Sequence, residues 1–133
     1  MGKHVLVEMD AEECWRLIEG TQVGRLAWNA PDGPTVLPVN IAVDGTSITF
    51  RTASTSSLTA QVDDSPVALE VDAIDEGYRT GWSVLVRGTA SASFDAGAVT
   101  SAEPWLEGAR PVTVTVRPRS ITGRFLGVTD QPG

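Results

Sequence analysis

The chain is poor in the residues that build metal centres and disulfides. Its 133 residues include a single cysteine, Cys14, and a single histidine, His4. A structural zinc site needs four clustered ligands and a disulfide needs two thiols, so we expect neither. A Ser-His-Asp catalyst is also disfavoured, because the only histidine lies close to the N-terminus, where chains commonly fray.

Positive charge is scarce as well. Ten basic residues face 17 acidic ones, which gives a net charge of −7, and Lys3 is the only lysine. Nucleic-acid binding depends on neutralising phosphates, so we expect no nucleic-acid partner, and docking to anionic membranes is disfavoured too. No apolar run approaches the roughly 20 residues of a spanning helix, and residues 1–8 are too short and too soon acidic for a secretory signal. We therefore predict a cytoplasmic protein.

The pattern that is present predicts one helix followed by short strands. Asp10 can cap a helix over Ala11–Glu19 that Gly20 ends, with Cys14 as a small core residue. Apolar residues then alternate with polar ones along residues 23–29, 35–43, 47–52, 67–72, 82–92 and 112–117. Six strands with few helices predict a mainly β fold, a closed or nearly closed antiparallel barrel. The length allows a single domain over 1–128, with a disordered tail at 129–133.

One or two further short helices are predicted, and one of them follows a candidate anion site. The strand that contains Arg51 leads into a hydroxyl-rich loop with Ser56 and Ser57, and residues 58–62 can form a helical turn. A helix N-terminus offers unpaired N–H groups, and an arginine fork suits a phosphate. The alternative is an ordinary strand–loop–helix corner with a serine cap. Residues 95–108, where the alternation stops, are expected to form either a second short helix or an irregular excursion.

Two features of the predicted strands are unusual for residues with a purely structural role. Pro38 removes a ladder donor, which implies an edge strand or a bulge that exposes backbone to a ligand. Asn40 should project to the face opposite the apolar one, where its amide could both donate and accept. Trp82 opens a long strand after a glycine, either as a core plug or as a wall for a planar ring.

In order, these segments resemble the pyridoxamine 5′-phosphate oxidase-like, flavin-nucleotide-binding proteins of actinobacterial type. The match covers nearly the whole chain, and it implies a six-stranded split β-barrel that dimerises, with FMN bound in clefts at the subunit interface. The segments that carry it are Val23-Gly24-Arg25-Leu26-Ala27, Leu37-Pro38-Val39-Asn40, Asp44-Gly45, Phe50-Arg51-Thr52, Val67-Ala68-Leu69-Glu70-Val71-Asp72, Thr80-Gly81-Trp82-Ser83-Val84-Leu85-Val86-Arg87-Gly88 and Ile121-Thr122-Gly123-Arg124.

The resemblance also implies cofactor-binding residues. Arg51 and Thr52 match the pair that holds the FMN phosphate, and Arg124 is a candidate second cation. Ser57 stands where related sequences usually carry a lysine, so we expect phosphate binding to be weakened, with hydroxyls offsetting part of the loss. The remaining matches are the strand along the isoalloxazine ring and the strand that closes over it, with the loop serine beside them: Pro38, Val39, Asn40, Trp82, Ser83 and Ser56.

Three functional hypotheses follow from this resemblance. The first is a small FMN-dependent oxidoreductase acting on a planar substrate, for which no catalytic acid or base can be assigned from the sequence. The second is a module that binds or sequesters flavin, deazaflavin or haem without turnover. The third is a degenerate split barrel that has lost its cofactor and acts as a dimeric interaction protein. Transfer of the named oxidase activity is not justified, because fold does not determine substrate.

Overall fold

The computed structural model describes residues 2–53, 56–94 and 111–129, which form seven strands and two helices. In chain order these elements are β1 (Lys3–Met9), α1 (Ala11–Glu19), β2 (Val23–Ala30), β3 (Gly33–Asp44), β4 (Ser47–Ala53), α2 (Ser57–Val62), β5 (Ser65–Asp75), β6 (Thr80–Phe94) and β7 (Pro111–Thr129). Neither of these helices is long and apolar enough to cross a membrane.

Six of the strands form a closed antiparallel ring. The order is β7-β4-β3-β2-β5-β6, and β6 pairs back onto β7, so that the ring closes; β1 is added outside it along the far half of β7. Closure leaves fewer exposed edges than an open sheet would. The prediction of a mainly β, six-stranded antiparallel fold is confirmed, and the ring is consistent with a split barrel.

The ring encloses one apolar core. The inward positions of the strands alternate with outward ones, as half-buried strands require. Cys14 and Ile18 of α1 are fully buried, so the interpretation of the cysteine as a core residue is confirmed. The buried strand residues are Leu26, Trp28, Ile41, Ile48, Phe50, Val67, Leu69, Val71, Val84, Val86, Ala90, Val112, Val114 and Val116.

Helix α1 begins and ends where the sequence predicts. The Asp10 carboxylate accepts the backbone N–H of Glu13 at 2.9 Å, and Gly20 donates its backbone N–H to the Ile18 carbonyl. Helix α2 begins at Ser57, one residue earlier than predicted, because the Ser56 hydroxyl caps it by accepting from the Leu58 N–H at 3.3 Å.

Two strands differ from the sequence prediction. The N-terminal residues, expected to fray, form β1, in which every side chain before Met9 is exposed, so that no alternation of burial marks the strand. Strand β7 continues to Thr129 rather than ending at residue 117. The short helix or excursion predicted within 95–108 and residues 130–133 of the predicted tail lie outside the described residues.

Candidate functional site

A cavity of about 690 Å³ lies on the outer side of β5, β6, β7 and β1. It contains three of the residues selected from the sequence, Trp82, Ser83 and Arg124. Its other walls combine apolar and charged side chains. They are Leu6, Ile74, Leu126, Gly81, Thr80, Glu70, Asp72, Glu76 and Arg79.

Strand register brings the polar groups of this cavity into one row. Ser83 pairs with Asp72 on one side and with Arg124 on the other, and Arg124 also pairs with Glu8 of β1. Neighbouring strands lie about 4.8 Å apart, so these outward side chains are within reach of one another. The row therefore offers a guanidinium, a hydroxyl and a carboxylate to one ligand.

Trp82 is positioned by the glycine before it. A Cβ at Gly81 would lie 2.5 Å from the Ala73 carbonyl oxygen of the neighbouring strand, so only glycine allows this approach. Trp82 is partly buried, packs against the core and also lines the cavity. The two interpretations of Trp82, core plug and wall for a ring, are therefore both compatible with its position.

An ion-pair network that the sequence did not reveal connects this cavity to β2. Nη1 of Arg25 lies 3.3 Å from Oε1 of Glu70 and 3.1 Å from Oδ2 of Asp72. Arg25 stands between Pro38 and Glu70 in the strand register. The two-residue spacing of Glu70 and Asp72 places both on one face of β5, but only the strand register adds Arg25. Asp72 is half-buried here.

The pKa of the Glu70 carboxyl is raised above its usual value. Burial, and next the neighbouring Asp72 carboxyl, raise its pKa to about 7, while Arg25 acts in the opposite direction. The cavity thus contains a carboxyl group that exchanges a proton near neutral pH.

The candidate phosphate residues lie at a different corner, where β4 meets α2. Arg51 and Ser57 are exposed, and Thr52 and Ser56 are half-buried. The Ser56 N–H donates to the Ala53 carbonyl at 3.0 Å, which folds the start of α2 back against the end of β4. Residues 54 and 55 of the connecting loop are outside the described part of the chain.

The candidate ring-binding residues lie on an open strand edge. Within the described residues, β3 pairs with β4 only from Ile41 onward, so its first two-thirds has β2 on one side and no strand on the other. Pro38 and Asn40 are exposed there and Val39 is half-buried. The register with β2 is continuous, so Pro38 marks an edge rather than a bulge, and Asn40 projects outward as predicted.

The structure does not bring all of the candidate residues together within one chain. Arg51 pairs with Thr113 near the start of β7, whereas Arg124 lies near the end of the same strand. At about 3.3 Å per residue, roughly 36 Å of strand contour separates Thr113 from Arg124. One chain therefore carries two partial sites. The first is a phosphate corner formed by Arg51, Thr52, Ser56 and Ser57. The second is the cavity of about 690 Å³ lined by Trp82, Ser83 and Arg124, which we call the Trp82 cavity.

Comparison with known proteins places this architecture in a family. Residues 10–125 match the family described as pyridoxamine 5′-phosphate oxidase, and the chain belongs to that family. An uncharacterised protein of Mycobacterium tuberculosis is 34% identical over 128 residues, covering 89% of this chain and 84% of the relative.

Two solved structures share both the fold and part of the sequence. The FAD-binding protein from Mycobacterium smegmatis is 29% identical with a TM-score of 0.73, over 91% of this chain and 98% of the other. A protein of unknown function from Corynebacterium diphtheriae is 26% identical with a TM-score of 0.72, over 92% and 98% of the two chains. The resemblance identified from the sequence is thereby confirmed.

Proposed function

We propose that this chain binds a flavin nucleotide between two copies of itself and acts as a flavin-dependent oxidoreductase on a planar substrate. The observation that carries the proposal is the division of the candidate residues into the phosphate corner, beside the start of β7, and the Trp82 cavity, beside its later half. Each half is incomplete alone. In a two-fold symmetric dimer, the phosphate corner of one chain can face the Trp82 cavity of its partner. Membership of the family and similarity to an FAD-binding protein support it.

The residues present fit a flavin by their chemistry. Arg51, Thr52 and the loop serines offer a guanidinium and hydroxyls suited to a phosphate group. The exposed edge of β3 offers backbone donors and acceptors to a heterocycle, with the Asn40 amide nearby. Trp82, with its apolar neighbours Leu6 and Leu126, provides a surface against which a planar ring can stack.

A bound flavin would supply the redox chemistry, and the protein would supply orientation and electrostatics. Trp82 and the apolar wall exclude water from one face of the cavity. Arg124 stabilises negative charge there, while Arg25 fixes the orientation of the Glu70 and Asp72 carboxylates. The Glu70 carboxyl, with its pKa of about 7, can hold or release a proton at its oxygen beside the substrate.

Two forms of the cofactor are distinguishable by titration. FMN is the form that we propose, because the phosphate corner gathers one arginine and three hydroxyl groups at one place, which suits a single terminal phosphate. FAD is the second candidate, favoured by the similarity to the FAD-binding protein from Mycobacterium smegmatis. Tighter binding of FMN than of riboflavin and FAD is the expected result.

Absorbance spectra of the purified protein distinguish a flavoprotein from a deazaflavin or haem module and from a colourless interaction protein.

Mixing two defective variants tests whether the site is shared. Arg51→Ala and Arg124→Ala should each weaken FMN binding by about 1.5–3 kcal/mol, since each removes a charge-assisted hydrogen bond. When the two variants are unfolded together and refolded, half-sites should recombine and about a quarter of the sites should regain wild-type affinity.

Arg87→Ala is the matched control, because Arg87 is an exposed arginine on β6 that does not line the Trp82 cavity. It should bind FMN like the wild type. If the mixed variants recover nothing, the site lies within one chain, and if both single variants bind normally, the phosphate is held elsewhere.

A further inference from the structure

A second, smaller cavity lies away from both halves of the proposed flavin site. It has a volume of about 460 Å³ and lies between α1, the turn that joins β3 to β4, and the middle of β7. The side chains that define its chemistry are Trp15, Thr46, Ser47, Arg117, Arg119 and Ser120. Its volume lies within the range of small-molecule sites. We call it the arginine cavity.

The charge of the arginine cavity is opposite to that of the protein. The chain carries a net charge of −7, yet no acidic residue is among the described residues that line this cavity. Arg117 and Arg119 form no ion pair or side-chain hydrogen bond with any other described residue, whereas Arg16 and Arg25 are both paired with carboxylates. Both guanidinium groups line the same cavity, and an anion placed between them would be attracted by both.

A β-bulge brings Ser120 to the side of β7 on which Arg117 and Arg119 lie. Arg87 of β6 pairs with Ser120 and Gly88 pairs with Pro118, so Arg119 is the extra residue, without a partner on β6. The bulge shifts the alternation of β7 by one residue, because Val116 is buried before it and Gly123 is buried after it. Arg119 and Ser120 are consequently both exposed, on the same side as Arg117.

Gly88 is the residue that permits the bulge. A Cβ on Gly88 would collide with the backbone carbonyl of Arg117, and it would lie 3.0 Å from the Cα of Pro118. Bulges commonly re-aim side chains next to binding sites. In a regular strand Arg117 and Arg119, two residues apart, already share one face, and the bulge adds Ser120 to that side.

The other side chains that line the arginine cavity indicate the chemistry of its ligand. Trp15 is half-buried, packs against the core and presents part of its ring to the cavity, where a planar group can stack. Thr46, Ser47 and Ser120 offer hydroxyl groups that donate to oxyanions. Two positive charges match a dianionic phosphate monoester better than a monoanionic carboxylate.

We infer that the arginine cavity is a second binding site, which takes a phosphate monoester that carries a planar ring elsewhere in the molecule, as a nucleoside monophosphate does. The phosphate contacts Arg117 and Arg119, and the ring stacks on Trp15. This inference does not depend on flavin binding, because none of these residues belongs to the phosphate corner or to the Trp82 cavity.

Calorimetric titration with AMP, adenosine, inorganic phosphate and benzoate tests the inference. AMP should bind more tightly than phosphate or benzoate, and adenosine should bind least. Arg117→Gln and Arg119→Gln should each weaken AMP binding about tenfold, the loss expected for one charge-assisted contact that is partly exposed. Lys3→Gln is the control, because it makes the same change in net charge at an exposed position outside this cavity.

Trp15 variants separate the ring contact from the phosphate contact. Trp15→Leu should weaken AMP binding while leaving that of inorganic phosphate unchanged, and Trp15→Phe should restore part of the loss. Because Trp15 packs on the core, the fold of Trp15→Leu is checked by thermal unfolding. An independent measurement on the wild type is the AMP-induced shift of the amide signals of Thr46, Ser47 and Ser120.

Three results would overturn the inference. The first is the absence of AMP binding at millimolar concentration. The second is an equal loss in Lys3→Gln, which would indicate non-specific attraction to net charge. The third is AMP binding that FMN displaces and that neither arginine variant weakens, which would place AMP in the flavin site.

Discussion

At the scale of single residues, Glu70 is the group whose chemistry the fold changes most clearly. Its side chain lies on an outward strand face, where a carboxylate would ordinarily be solvated. Partial burial and the adjacent Asp72 make its charged form unfavourable, and Arg25 offsets only part of this cost. The folded protein therefore holds the Glu70 proton more tightly than the unfolded chain does.

This difference predicts a pH dependence of stability. Between the unfolded pKa near 4.5 and the folded pKa of about 7, the folded state binds more protons, so the free energy of unfolding should fall as pH rises through that window. Glu70→Gln should remove this slope. The effect should be on the order of 1 kcal/mol, reduced from the full shift because the side chain is about a third exposed.

Urea unfolding of protein without added flavin, at several pH values from 4.5 to 8, measures the slope. Glu76→Gln is the control, because it makes the same chemical change at an exposed residue of the same cavity. An equal slope in wild type and Glu70→Gln would contradict the assignment.

At the scale of elements, backbone approach between strands decides where side chains can be placed. Gly81 allows β6 to lie against Ala73 of β5 immediately before Trp82. A Cβ at position 81 would collide with the Ala73 carbonyl, and a backbone group cannot move aside as a flexible side chain can.

Gly81→Ala should therefore destabilise the protein by about 1–3 kcal/mol and shift Trp82. Gly77→Ala is the matched control, because a Cβ there would meet only the Asp75 carboxylate at an ordinary 3.4 Å. Denaturant unfolding followed by tryptophan fluorescence measures both changes. Equal midpoints for the two variants would show that the strands can separate at little cost.

Strands were predictable from the sequence where one face is buried. The alternation of Val67, Leu69 and Val71 marks β5, because a period of two survives only when one face meets the core. Prediction from this alternation failed for β1, in which nearly all side chains are exposed. It also failed beyond residue 117, where the bulge at Arg119 changes the phase of the alternation.

The candidate site was predictable only in part, for a related reason. Sequence similarity gave Trp82, Ser83 and Arg124 as candidates, and the structure lines one cavity with them. Arg25 and Glu70 are 45 residues apart, and their contact depends on the β2–β5 register, which no local pattern encodes. The placement of Ser120 in the arginine cavity likewise depends on which residue of β7 is left unpaired.

At the scale of the whole molecule, the outer surface of the ring exposes several large hydrophobic side chains. Large hydrophobic side chains are exposed beside the Trp82 cavity, where Ile74 is 70% exposed, and along the open edge of β3, where Val36 is 59% exposed. Exposed apolar surface of this kind commonly marks an interface between proteins. Both regions belong to the proposed shared flavin site, so one contact could cover them and complete the site.

We therefore predict a homodimer in which the β3 edge takes part in the interface. Sedimentation at micromolar concentration should give a single species of twice the mass of the chain. Val36→Lys should shift it toward the monomer and weaken FMN binding with it, because the buried charge is costly and the shared site is lost. Thr89→Lys, the same charge at an exposed polar position of β6, should leave both properties unchanged. A folded wild-type monomer that still binds FMN would refute the shared site.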